Sequence, residues 1–297
     1  MTIKRVGLIG VGLMGHGIGK NILAKGYELT VMAHCNRVPV DDLIAKGAKE
    51  RNNPLAVAKD SDMVILCVTG TPQIEQLVYG EYGLMGAVRG DLVIADCSTA
   101  EPASTIRIAA DVEAKGGHFV DTPMTRTPKE AEAGKLGLMT GGPDEVMARI
   151  RPVLDCFADT IVHAGAVGSA HQLKLINNFL SIAHAAVAAE AITVAAKAGV
   201  NMQSLKDIVM AGGAASVMFG RLINVPLSDD DSHTQFAIGN ARKDMRYYTN
   251  MTEQLPVASF MAETAHQITV VADNMGYGGR FLPRLIDVMM KINGIKN

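Results

Sequence analysis

The chain holds 297 residues, with 28 basic and 30 acidic side chains and a formal net charge of −2. These charges mix along its length, so no basic block suggests nucleic acid and no acidic tail suggests a disordered arm. A chain this long can bury a large core and usually forms two domains.

The first part alternates short apolar runs with helical patterns. Strands are predicted at 5–9, 28–32, 63–68, 92–96, 118–121, 136–140 and 160–163, each rich in Val, Ile or Leu and bounded by Gly, Asp or Ser. Between them lie helical stretches such as GIGKNILAKG and ASTIRIAADVEAKG. That alternation predicts an α/β domain with a doubly wound, mostly parallel sheet. From about Gly165 the strand pattern stops. Helical periods follow at 167–198, 202–211, 236–252, 257–273 and 281–293, broken by AGGAAS, NVPLSDDDS and NMGYGG. The expected domains are 1–164 and an all-helical 165–297, joined by the long first helix. The 17 methionines and the absence of Trp suit an Ala/Met-packed helical core.

Cys35, Cys67, Cys97 and Cys156 form no CxxC pair and no zinc-like spacing, and the eight histidines are scattered. No metal site is expected, and reduced thiols in a cytoplasmic protein are. Cys35, Cys67 and Cys97 lie near predicted strand ends, where small buried thiols are the ordinary expectation. The apolar start VGLIGVGLMG lacks a charged leader and is too short and Gly-rich for a membrane span.

The first strand runs into Gly10-Val11-Gly12-Leu13-Met14-Gly15 and then a helix. A GxGxxG alone is weak evidence; placed between a strand and a helix it points to a dinucleotide. Gly10 allows the tight turn, Gly12 lets backbone approach a pyrophosphate, and Gly15 lets helix pack on strand. The helix N-terminus offers free N–H groups to phosphates. After the second strand, an NAD site usually carries an acidic side chain for the ribose 2′-hydroxyl. None stands before Asp41; His34, Asn36 and Arg37 occupy the region. An Arg there pairs with a 2′-phosphate, which favours NADP. The alternative is a solvated Arg37 and use of NAD as well.

In the run 171–199, Lys174, Asn177, Asn178 and Ser181 follow the offsets i, i+3, i+4 and i+7, which align on one helical face. Their neighbours are Leu, Ile, Ala, Val and Phe, and a buried ammonium is costly without a purpose. A lone Lys would be read as snorkelling to solvent. Three polar residues in phase with it favour the wall of a site.

Taken together, these segments resemble the β-hydroxyacid dehydrogenases, the group containing 3-hydroxyisobutyrate dehydrogenase and tartronate semialdehyde reductase. The match spans essentially the whole chain: GLIGVGLMG resembles the family's cofactor loop, Asp96-Cys97-Ser98-Thr99 its DxST segment, and Asp121-Thr122-Pro123 the start of its substrate loop. Lys174-Leu175-Ile176-Asn177-Asn178 resembles its KxxNN helix, and Lys243-Asp244 its KD pair. The resemblance implies a Rossmann-type nucleotide domain and a helical domain that assembles as a homodimer or homotetramer. It implies Lys174 as general acid/base, Asn178 orienting the substrate, and Ser98 on its acid group. Leu13, Met14, Val68, Thr69, Thr99 and Lys243 join the glycines, Asn36 and Arg37 as cofactor contacts.

One segment departs from the pattern. Where most of the family has DxPxSGG, this chain has Arg126 and Thr127 in place of the glycine pair. A similar Arg, with a Ser beyond the Asn pair, occurs in sulfolactaldehyde reductases, and dehydrogenases of D-threonine look similar here. The resemblance thus implies a small anionic substrate held by Ser98, Arg126, Thr127, Asn177, Asn178 and Ser181. The plainer reading of Arg126 is a surface ion pair with Glu130 or Glu132. Three alternatives are weaker. Imine reductases typically lack the helix lysine, and 6-phosphogluconate-type decarboxylases need a longer helical domain. A non-catalytic nucleotide-binding regulator would not need the Lys174–Asn178 pair.

Overall fold

The computed structural model describes residues 2–295. They divide in sequence into two compact units, between Lys174 and Leu175. This division falls inside a long helix, some residues beyond the change in periodicity at Gly165.

The first unit is built on nine strands: β1 (Arg5–Ile9), β2 (Glu28–Met32), β3 (Lys49–Glu50), β4 (Met63–Leu66), β5 (Val93–Asp96), β6 (His118–Asp121), β7 (Met124–Thr125), β8 (Leu136–Gly141) and β9 (Ala158–Gly165). Helices α1 (Gly15–Ala24), α2 (Val38–Ala45), α3 (Pro54–Lys59), α4 (Thr71–Tyr79), α5 (Pro102–Glu113), α6 (Pro128–Glu132) and α7 (Asp144–Leu154) connect them. The order β3-β2-β1-β4-β5-β6 is parallel throughout, the arrangement of a dinucleotide-binding doubly wound sheet. β8 then pairs antiparallel with β6 and β7, and β9 lies parallel to β8 at the edge. Every residue of β4 and β5 is buried, as strands covered on both faces require.

Local departures from the expected elements have physical causes. The strand expected over 63–68 stops at Leu66: Cys67 N–H still bonds Ile9 O, but Val68 N–H turns to the Ser98 hydroxyl at 3.0 Å. β3 and β7 are two residues each, too short for any periodicity to show. All four thiols are unpaired, but Cys35 is exposed rather than buried, because it lies in the loop that follows β2.

The long helix α8 (Ser169–Lys197) is 29 residues and is apolar enough to cross a membrane by length and composition. Its inner residues, Ile182, Ala185, Ala189 and Ile192, instead form the second unit's core with Phe219, Leu222, Met245 and Leu285. The unit continues with α9 (Met202–Ala211), α10 (Val217–Leu222), α11 (Asn224–Ser228), α12 (Ile238–Gln254), α13 (Phe260–Ala272) and α14 (Leu285–Ile292). AGGAAS breaks the chain between α9 and α10 as expected, and Ser216 at its end caps α10 by accepting from Phe219 N–H at 3.0 Å. One expected break is corrected in part. NVPLS is α11, with Pro226 tolerated in its first turn. NMGYGG does interrupt, as a π-helical turn over Asp273–Tyr277 with Gly276 left-handed at φ 87°.

Candidate active site

Backbone shapes the turn between β1 and α1. Gly10 has φ 102°, and a Cβ there would lie 2.1 Å from Cys67 O. A Cβ at Gly15 would lie 2.0 Å from Gly10 O. Both glycines are therefore demanded by the chain's own packing. Gly12 differs: a Cβ there would meet nothing within 4 Å. Nothing inside the protein requires glycine at that position, so the open backbone suits a ligand pressed against it. Leu13, 72% exposed, and the half-buried Met14 complete the turn above the N-terminus of α1. These residues fit a dinucleotide's pyrophosphate. The half-buried Val68 and exposed Thr69 follow β4, next to the Cys67 carbonyl that abuts Gly10.

The loop after β2 contains no carboxylate of its own before Asp41. Asn36 Oδ1 accepts from Val38 N–H at 3.1 Å. Arg37 is already engaged, at 3.0 Å from Glu50 Oε1 and 2.9 Å from Asp41 Oδ1. Any phosphate at this point would compete with two carboxylates.

At the end of β5, Asp96 is fully buried and its Oδ1 accepts from Ser98 N–H at 2.9 Å. Burial pushes the Asp96 carboxyl above its ordinary range, against the opposing influence of His171. Ser98 is buried, with its hydroxyl accepting from Val68 N–H, and Thr99 beside it is half-buried. One end of α8 also belongs to this unit. Lys174 is half-buried and donates from Nζ to Met124 O at 2.6 Å, a neutral acceptor in the connecting loop that leads from β6 to α6. His171, one turn earlier, is fully buried. Its one signal in the sequence is its place three residues before Lys174, in phase with the polar stripe.

Further along this loop Arg126 does not pair with Glu130 or Glu132. It donates to Asp159 Oδ1 at 2.7 Å, to Thr160 Oγ1 at 3.1 Å and to Lys135 O, which ties it to β9 and the start of β8. Its backbone is left-handed, φ 78°, a conformation natural to the glycine it replaces in the family pattern. Thr127 caps α6, its N–H and hydroxyl both on Glu130 Oε2. Glu132 binds Lys20 and His16 instead.

In the second unit, Asn178 is buried and donates to Asp244 Oδ2 at 2.6 Å, while Asn177 Nδ2 donates to Asn178 Oδ1 at 3.2 Å. Ser181 is half-buried one turn on. Lys243 Nζ sits 2.6 Å from the other Asp244 oxygen, an ion pair rather than an aligned hydrogen bond, and 4.8 Å from the Tyr247 ring centre. Asp244 thus links the Asn pair of α8 to the Lys of α12. No group of three or more His, Cys, Asp or Glu suited to a metal occurs among the described residues.

Comparison with known proteins agrees with this architecture. Residues 5–165 match the NAD binding domain of 6-phosphogluconate dehydrogenase, and residues 168–286 match the NAD-binding domain of NADP-dependent 3-hydroxyisobutyrate dehydrogenase. The 3-sulfolactaldehyde reductase of Escherichia coli K12 is 29% identical over 92% of this chain and 91% of its own length. The 2-hydroxy-3-oxopropionate reductase of the same organism is 30% identical over 71% of this chain and 72% of its own. A solved 3-hydroxyisobutyrate dehydrogenase from Salmonella typhimurium superposes with a TM-score of 0.83 at 26% identity, covering 96% of this chain and 99% of that one. With its nucleotide-binding sheet, open glycine loop and lysine–asparagine helix, this chain belongs to the β-hydroxyacid dehydrogenase family of NAD(P)-binding oxidoreductases.

Proposed function

We propose that this protein interconverts the 3-hydroxyl and carbonyl of a small anionic 3-hydroxy compound, with NADP preferred over NAD and Lys174 as general acid/base. The observation that carries the reading is the stripe on α8, where Lys174 stands in phase with Asn177, Asn178 and Ser181 and Asn178 is oriented by Asp244. When bound, the nicotinamide supplies or accepts the hydride. Lys174 gives its ammonium proton to the substrate oxygen during reduction and takes the hydroxyl proton during oxidation. Asn178, its amide fixed by Asp244 and Asn177, orients that oxygen. Gly10, Gly12, Leu13, Met14 and Gly15 hold the pyrophosphate; Asn36 and Arg37 select the 2′-phosphate; Val68, Thr69, Thr99 and Lys243 line the remaining cofactor contacts.

The acid group is assigned to Ser98, Arg126, Thr127, Asn177 and Ser181. Arg126 brings a full positive charge where most of the family offers glycine amides, which suits a sulfonate, or a carboxylate beside an amino group. The similarity to a 3-sulfolactaldehyde reductase supports the sulfonate. The four unpaired thiols support a reducing, cytoplasmic setting. Self-association as a dimer or tetramer is supported by Ile176, Leu180, Val187 and Val194, exposed apolar residues that share one face of α8.

The test is a panel of 3-hydroxy acids, β-hydroxy amino acids such as D-threonine, and sulfonates including sulfolactaldehyde, followed by nicotinamide absorbance with each cofactor. Turnover confined to anionic 3-hydroxy or 3-oxo compounds, faster with NADP, is expected. Turnover of cyclic imines alone would favour the imine reductase reading instead.

A further inference from the structure

His171 takes no part in the chemistry above, yet its ring and its backbone amide are all engaged. Nε2 lies 3.2 Å from the carbonyl oxygen of Ser98. A carbonyl oxygen only accepts, so Nε2 carries a proton and donates it. Nδ1 lies 2.8 Å from Thr105 Oγ1 on α5. The backbone N–H of His171 donates to Asp121 Oδ2 at 2.8 Å, and Gly168 N–H donates to Oδ1 of the same carboxylate at 2.8 Å. Asp121, at the end of β6, thereby satisfies two amides at the start of α8 and sets a negative charge against the helix N-terminus. Asp96, on the neighbouring strand, leaves its buried Oδ2 without a hydrogen bond, 3.7 Å from His171 Nε2.

A buried imidazole with two buried carboxylates beside it costs desolvation that an apolar side chain would avoid. What it adds is direction. From His171 to Lys174 is three residues, about 4.5 Å along the helix axis, so whatever fixes His171 fixes the root of the lysine. We propose that His171 is a positioning residue for proton transfer: its Nε2–H clamps the Ser98 carbonyl to the first turn of α8 and so sets where Lys174 stands relative to Ser98. This inference rests on the assignment of Lys174 as general acid/base.

Two amide variants of the full-length protein test it. In His171→Gln the amide nitrogen reaches the place of Nε2 and keeps the donor to Ser98. In His171→Asn it reaches only as far as Nδ1, and that donor is lost. With the best substrate of the panel and NADP, His171→Gln should keep kcat within about threefold, and His171→Asn should lose about tenfold or more, with KM and the cofactor Kd nearly unmoved. His171→Asn, which leaves the buried Ser98 carbonyl without this donor, should melt a few degrees below His171→Gln, and assays well below both melting temperatures separate positioning from bulk stability. Equal kcat for Gln and Asn, whether full or impaired, would overturn the proposal, as would failure of both to fold. Lys174→Ala is the control: if it retains turnover, the general acid/base assignment itself fails. If Lys174→Ala is inactive while Gln and Asn behave alike, that assignment stands and only the role of His171 falls.

Discussion

At the end of β1 the proposed chemistry rests on backbone, and on α8 the proposed chemistry rests on side chains. The glycine turn is held by two positions that the fold itself demands, Gly10 and Gly15, and one that it does not, Gly12. The stripe from Lys174 to Ser181 is held by helical phase, by Met124 O at one end and by Asp244 further along. In the first region folding and binding fall on neighbouring but different glycines. In the second a side chain can be removed while the helix stays, because α8 is stabilised by its apolar faces. Substitutions in the two regions should therefore fail in different ways.

The largest effect is expected on α8. Lys174→Ala should lower the rate of the chemical step by roughly 10²–10⁴ with the cofactor Kd nearly constant, read by single-turnover kinetics and cofactor titration. Near-normal turnover would end the proposed mechanism. In the glycine turn, a paired comparison separates fold from ligand. Gly10→Ala forces a Cβ against Cys67 O on a left-handed backbone and should cost about 3 kcal/mol or more of stability in denaturant unfolding. Gly12→Ala should leave the unfolding midpoint in place and weaken cofactor binding by about tenfold or more. A Gly12→Ala protein that binds cofactor normally would remove the assignment of this open backbone to the pyrophosphate.

The two arginines sharpen the contrast at the rims of the first unit. Both are paired within the chain, so each must exchange a carboxylate for its ligand. Arg126→Gly should lower kcat/KM on the best anionic substrate by about thirtyfold, and it should not lower Tm, since glycine accepts φ 78° freely. Full kcat/KM in this variant would return Arg126 to a surface ion pair with Asp159. Arg37→Ala should raise the NADP Kd by about tenfold while sparing NAD; equal effects on both cofactors would mean no 2′-phosphate contact.

The smallest effects are in pH dependence, and the two units should differ in sign. Burial alone would lower His16, but its hydrogen bonds to Glu132 and Asp42 outweigh that and raise it. Its contribution is full below the unfolded value and is lost as pH rises through the folded one. His266 in the second unit is shifted the other way, lowered by burial and by the charge of Arg246. It costs stability as pH falls below the ordinary histidine value, where the unfolded chain takes the proton more readily. Tm measured across neutral pH, with His16→Gln and His266→Gln as references, should show slopes of opposite sign; a common sign would refute the pairing described for one of them.

What the amino-acid order determined by itself was local. Alternating apolar runs specified the buried parallel strands, the glycine spacing specified the turn after β1, and the offsets from Lys174 to Ser181 specified one helical face, because each depends only on near neighbours and backbone period. The folded chain decided everything that depends on distant partners. β8 reverses direction beside β6, and two-residue strands appear where a neighbour supplies the pairing. Arg126 finds Asp159, 33 residues away, rather than the glutamates near it, and Arg37 finds Glu50 across β2 and β3. His171 is one more scattered histidine in the sequence; in the fold Ser98 from the loop after β5, Thr105 from α5 and Asp121 from β6 close around it. Periodicity records which face a residue occupies; only tertiary packing brings to that face the acceptor or carboxylate that gives the residue its role.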